Sequence, residues 1–199
     1  MSNSVDTGPD RDQKVATPQS LRSLLIGGMA LFDERVAEVN ADQFGRDTTC
    51  DGWTIEDLVQ HTADTADRAV AFLRGATWVA PESTGPALDR WRETSAALRA
   101  QLKVSDLDGR WPLADDSPHA KLRFHGCDFA IHRWDLAQSL GIDEELPAGW
   151  LEYMNGFFRS LPDEAIRRPR AFAPELAPAP SDGPTARLMA FLGRRPLTS

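Results

Sequence analysis

The chain has 199 residues, 41% of them hydrophobic and 26% charged, with a formal net charge of −8. That length and composition suit a globular domain with a real core and a short tail. The acidic balance argues against a general nucleic-acid binder, which needs a basic surface. Two cysteines, Cys50 and Cys127, match no structural-zinc spacing and suggest no disulfide framework. Residues 1–20 lack the basic start and apolar run of a signal peptide, and no apolar stretch is long enough to span a bilayer. The expectation is a cytoplasmic protein that binds neither nucleic acid nor membrane.

Residues 1–17 hold almost nothing to bury and read as a disordered tail. Thr17-Pro18 reads as a helix start, and Leu21, Leu24, Leu25, Met29, Phe32 and Val36 follow at three-and-four spacing to about Asn40. A loop over 41–53 leads to Thr54, whose acidic followers Glu56 and Asp57 suit the first turn of a second helix running to Gly75. His61 shares a face of that helix with Leu58 and Thr65. A crossover over 76–85 precedes a third helix from about Pro86 to Lys103, then an irregular stretch over 104–118. The fourth helix spans about His119 to Leu140, with Gly141 as its natural stop. A fifth follows Pro147 and runs to about Arg168; residues 169–184 are Pro-rich and extended, and a short last helix covers 185–192. The fold class is all-α: a four-helix bundle over 18–141 and a helical C-terminal appendage over 142–199.

The chemistry concentrates on the fourth helix. His125, Asp128 and His132 fall at i, i+3 and i+7, near one face. At a rise of ~1.5 Å per residue the two histidines stand roughly 10 Å apart, too far to share one ion. Asp128 can pair with either, and His61 from another helix can supply a third ligand. Three ligands between facing helices leave a position open, as in a catalytic metal site. The plainer alternatives are hydrogen-bonded core histidines and an Asp128–Arg123 ion pair. His119 reads as a surface residue. Cys50 reads as a small buried loop residue, Cys127 and Trp134 as packing residues, and Trp53 as a hydrophobic staple. Asp135 reads as a structural hydrogen-bonding group near the site, and Arg133 and Arg68 as exposed ion-pair partners.

Three segments carry a resemblance. Thr48-Thr49-Cys50-Asp51-Gly52-Trp53-Thr54 leading into Asp57-Leu58-Val59-Gln60-His61 resembles the T-x-C-x-G-W-T loop and D-L-V-x-H helix of the DinB-like superfamily, in its mycothiol-dependent maleylpyruvate isomerase branch. Asp128-Phe129-Ala130-Ile131-His132-Arg133-Trp134-Asp135-Leu136-Ala137 is similar to that branch's E-x-x-x-H-x-W-D-L-A. Leu188 to Pro196 resembles the ending of its short metal-binding members. Together the segments cover about 18–196 in order.

The resemblance implies a four-helix bundle with a long crossover between helices 2 and 3, and a divalent metal held by His61, Asp128 and His132. It selects His132 over His125, which spacing left open, and leaves His125 as a possible base. Zinc is the implied metal, with nickel or iron as alternatives. The implied chemistry is that of a low-molecular-weight thiol, mycothiol or similar, attacking an electrophilic small molecule as an S-transferase or thiol-assisted isomerase. A non-catalytic metal or small-ligand binder and a thiol-independent metal-hydroxide enzyme are the alternatives; a homodimer is also compatible. Two departures stand out. Asp128 replaces the family's glutamate, so the helices must come closer or a water must bridge. The tail over 169–199 is too short for the mixed α/β domain of the full-length isomerases, so maleylpyruvate isomerisation is not carried over.

Overall fold

The computed structural model describes residues 17–82, 85–107, 120–167 and 171–197. Its helices are α1 (Leu21–Val36), α2 (Ile55–Leu73), α3 (Ala87–Val104), α4 (Ala120–Ser139), α5 (Ala148–Ser160), α6 (Asp163–Ile166) and α7 (Pro184–Phe191), with a 3₁₀ turn at Ala41–Gln43. Among the described residues there is no strand, only an isolated antiparallel bridge between Asp47 and Thr54. None of the described helices is long and apolar enough to cross a membrane.

The contacts give each helix its direction. Gly28 on α1 lies against Gly126 and Phe129 on α4, and further along Arg133 reaches the Leu31 carbonyl and Glu34, so α1 and α4 run parallel. On α2 and α3, Asp64 pairs with Arg90, and Arg74 donates to Gln101; these two are also parallel. By contrast α2 and α4 are antiparallel, because His61 faces His132 while Thr65 faces Asp128. Arg22 bonds the Ser105 carbonyl and Asp33 takes Trp91, which makes α1 and α3 antiparallel as well. Two parallel neighbours, α2 and α3, require the chain to travel back the length of the bundle between them. The chain between α2 and α3, described at 74–82 and 85–86, makes that long crossover.

Glycine sets how closely α1 and α4 pack. A Cβ on Gly28 would sit 2.5 Å from the Gly126 carbonyl oxygen, and one on Gly126 would sit 2.6 Å from Leu24 Cγ. The core between the helices is filled by Leu24, Leu25, Phe32, Leu58, Trp91, Phe129 and Trp134, all buried. Each such side chain stabilises the fold by roughly 1.5–3 kcal/mol relative to exposure.

Several boundaries differ from the sequence expectation. Helix α1 is capped by Ser20 rather than Thr17: Ser20 accepts from the Ser23 amide while Ser23 accepts from the Ser20 amide, a reciprocal capping box. It ends at Val36, and Asn40 starts the 3₁₀ turn through its bond to Gln43 instead of prolonging the helix. Helix α5 stops at Ser160, because Pro162 drives Leu161 into an extended conformation, ψ 143°. The expected starts and stops at Thr54, Gly75 and Gly141 agree, the two glycines having φ of 67° and 74°. The tail over 1–16 and His119 lie outside the described residues.

The C-terminal segment folds back on α5 and the residues that precede it. Thr185 accepts from the Leu146 amide and donates to Glu145. Arg159 stacks over Phe191, and Arg167 bonds the Phe191 carbonyl. These contacts carry the chain past α7 to Gly193, whose φ of 77° turns it toward α4.

Candidate functional site

The loop over 47–53 and the first half of α2 face the middle of α4. Thr48 shapes the loop by donating to the Trp53 carbonyl, and Thr54 caps α2 with Asp57 in a second capping box. His61 therefore projects two turns into α2, opposite α4. Its Nε2 lies 3.3 Å from Oδ2 of Asp128, while Nε2 of His132 lies 3.4 Å from Oδ1 of the same carboxylate. The three ligand atoms are all within 4.8 Å of one another. The shorter aspartate side chain thus reaches both imidazoles directly, one with each carboxylate oxygen.

Each member of this trio is held by a neighbour. Thr65, one turn beyond His61, donates to Oδ2 of Asp128 at 3.0 Å. The Trp53 ring packs against that of His61, centroids 4.8 Å apart. His132 is buried and its Nδ1 lies 2.8 Å from Oδ2 of Asp135, which is fully buried. In the neutral ring, an Nδ1–H donated to that carboxylate leaves Nε2, on the edge that faces His61 and Asp128, as the nitrogen free to ligate. Asp135 also accepts from Thr49 and from Nε of Arg194, the latter at 2.9 and 3.1 Å. Cys50 Sγ sits 3.6 Å from Asp135.

Electrostatics follows this geometry. Burial alone raises the Asp128 carboxyl, but the His132 and His61 rings outweigh it and hold the group well below the usual carboxylate range. Burial likewise disfavours a charged His132, and Asp128 and Asp135 overcome that, raising it well above an ordinary imidazole. Asp135 is lowered to about 2, burial being offset by Arg194 and His132. His125 behaves oppositely: burial lowers it to about 4. Its Nδ1 is buried with no hydrogen-bond partner among the described residues.

A cavity of about 930 Å³ opens over the trio. Its wall includes Trp53, Phe124, His125 and, from the C-terminal segment, Phe172, Leu192 and Arg194; Arg68 and Lys121 also line it. Two imidazole nitrogens and an ionised carboxylate form a donor set suited to zinc, nickel or iron. A second cluster, Cys50, His132 and Asp135, has similar spacing. There the Arg194 guanidinium already provides the cation, so the first cluster fits a metal better.

The structure brings His61, Asp128 and His132 together and sets His125 on the cavity wall, apart from the trio. Arg123 does not pair with Asp128; it reaches Tyr153 and stacks over Phe157. Arg133 is half-buried between Glu144 and Glu34, away from the cavity. Cys127 and Trp134 are core residues. Cys50 lines the cavity instead of being buried in the loop, and Trp53 forms a wall of the site. Asp135 does structural work, binding the 47–53 loop through Thr49, and also orients His132. Sequence reasoning missed Thr65 and Arg194. Thr65 was legible as a face-sharer of His61, and Arg194 only as the cation that a buried Asp135 demands.

A helical bundle of two parallel pairs with a His-Asp-His cluster on the floor of a cavity is the arrangement of the DinB-like class. The model of the mycothiol maleylpyruvate isomerase N-terminal domain matches residues 27–137, and the chain belongs to that family. It is similar to two proteins of Mycobacterium tuberculosis, uncharacterized protein MT0763 of strain CDC 1551 / Oshkosh and uncharacterized protein Rv0738 of strain ATCC 25618 / H37Rv. Each is 28% identical over 169 residues, covering 82% of this chain and 91% of the relative. No solved structure matches the chain.

Proposed function

We propose that the protein is a divalent-metal-dependent enzyme of low-molecular-weight thiol chemistry, an S-transferase or thiol-assisted isomerase acting on an electrophilic small molecule in the cytoplasm. The observation that carries this reading is the convergence of His61, Asp128 and His132 on the floor of a cavity large enough for a thiol and a second substrate. The ligands are His61 Nε2, the Asp128 carboxylate and His132 Nε2. A zinc or similar ion so held supplies Lewis acidity that keeps a sulfur in its thiolate form at neutral pH.

The chain's own residues do the rest. Asp135 keeps His132 in the tautomer that presents Nε2, and Thr65 fixes the rotation of Asp128. Phe124 and Phe172 offer an apolar surface to the electrophile, while Arg68 and Lys121 favour an anionic group on it. Arg68 is steadied by stacking on Trp78 at 4.4 Å. His125, neutral at pH 7, is a hydrogen-bond acceptor or weak base beside the reacting groups. A conjugation assay with mycothiol and a panel of electrophiles tests the reading: turnover that needs both metal and thiol supports it, and metal-dependent turnover without thiol contradicts it.

A further inference from the structure

The His132 ring stands between two clusters of ligating groups. Its Nε2 edge faces Asp128 and His61, and its Nδ1 edge faces Asp135, with Cys50 Sγ 3.6 Å from that carboxylate. Both clusters have their ligand atoms within 4.8 Å of one another. One ring shared by two potential sites poses a choice, because the thiolate-bearing side offers a softer donor set and would engage His132 through Nδ1 instead of Nε2.

Arg194 breaks this symmetry. It arrives from the C-terminal segment, 59 residues beyond Asp135 in sequence, and its Nε lies 2.9 and 3.1 Å from the two carboxylate oxygens. Its Nη2 lies 4.0 Å from Cys50 Sγ. A fixed positive charge thus occupies the side where a second ion would have to bind. Asp135, neutralised by Arg194, remains an acceptor for the Nδ1–H of His132 and keeps that nitrogen out of coordination.

We propose that Arg194 is a specificity-determining residue for the metal centre: its guanidinium stands in for a cation among Cys50, His132 and Asp135, and so directs the ion to His61, Asp128 and Nε2 of His132. This rests on the metal reading above. It gives the C-terminal segment a role in selecting ligands and excluding thiolate from the coordination sphere. Without Arg194, Cys50 Sγ, His132 Nδ1 and Asp135 become a competing site, each thiol and imidazolium proton lost to solvent as the metal binds.

Cobalt(II) is the probe, because thiolate ligation adds a near-ultraviolet charge-transfer band that imidazole and carboxylate do not give. The metal-free full chain is titrated as wild type, Arg194→Met, Arg194→Lys, and Arg194→Met with Cys50→Ser. The wild type should bind cobalt without the band. Arg194→Met should gain a band amounting to one thiolate per cobalt, which the added Cys50→Ser abolishes. Arg194→Lys, which restores the charge, should show none. Arg194→Gln answers the same question should the methionine variant fail to fold. Wild type that binds cobalt, with neutral variants that bind it and stay free of the band, overturns the inference alone. Wild type that takes up no cobalt overturns the metal reading, and the inference with it.

Discussion

Nδ1 of His132 lies 2.8 Å from Oδ2 of Asp135, three residues further along α4. That bond joins the candidate ligands to the rest of the molecule, since Asp135 also holds Thr49 of the 47–53 loop and Arg194 of the C-terminal segment. One buried carboxylate therefore orients a ring and ties three chain segments together.

Asp135→Asn tests this relationship. It keeps the volume but leaves the Arg194 charge uncompensated, and breaking a buried pair in this way costs about 3–5 kcal/mol. Urea unfolding should show a loss of that order. Metal affinity should fall about 10–100-fold through the loosened His132 ring. Competition with a chromophoric chelator measures the second effect separately from the first.

The contact between α1 and α4 is equally exposed to test. Gly28→Ala would place a Cβ 2.5 Å from the Gly126 carbonyl oxygen, a backbone atom that cannot rotate away. The helices must separate, with an expected cost of about 1–3 kcal/mol in thermal or urea unfolding. Gly156→Ala on α5, where a Cβ meets nothing within 4 Å, should be tolerated.

His125 gives a pH signature. Its folded value of about 4 lies below the ordinary 6.5, so between these values the unfolded chain binds the extra proton. Stability should therefore fall as pH drops from about 6.5 to 4 by an amount on the order of 3 kcal/mol. In metal-free protein, His125→Gln should remove that part of the slope. An unchanged difference between wild type and variant across this window would place His125 in contact with water.

Arg68 bears on substrate choice. If an anionic group on the electrophile meets it, Arg68→Ala should raise KM about tenfold for anionic electrophiles and little for neutral ones. Steady-state kinetics with a charged and an uncharged electrophile of similar size separates the two.

Much of this was legible in the chain before any coordinates. Helix α2 announces itself by Thr54 and its acidic first turn, and α4 by its stop at Gly141. His61 and the Asp128–His132 pair could be placed on facing helices from motif and order. Contacts across long sequence separations left no such trace: Thr49 with Asp135, Arg194 with Asp135, and Arg90 with Asp64 depend on how helices pack, which local spacing does not encode. The boundaries that shifted did so for local reasons that compete with periodicity. A Ser20–Ser23 exchange outbid the proline start, and Pro162 ended α5 while the apolar pattern invited it onward.

The most direct measurement is the metal content, by elemental analysis, of purified wild type, His61→Ala, Asp128→Asn and His132→Ala proteins, each shown to be folded by circular dichroism. About one equivalent of a divalent transition metal is expected in the wild type, and its loss from all three variants, since three ligands hold the ion and none is spare. Equal metal content in all four proteins, or none in the wild type after exposure to zinc, would contradict the three-ligand site.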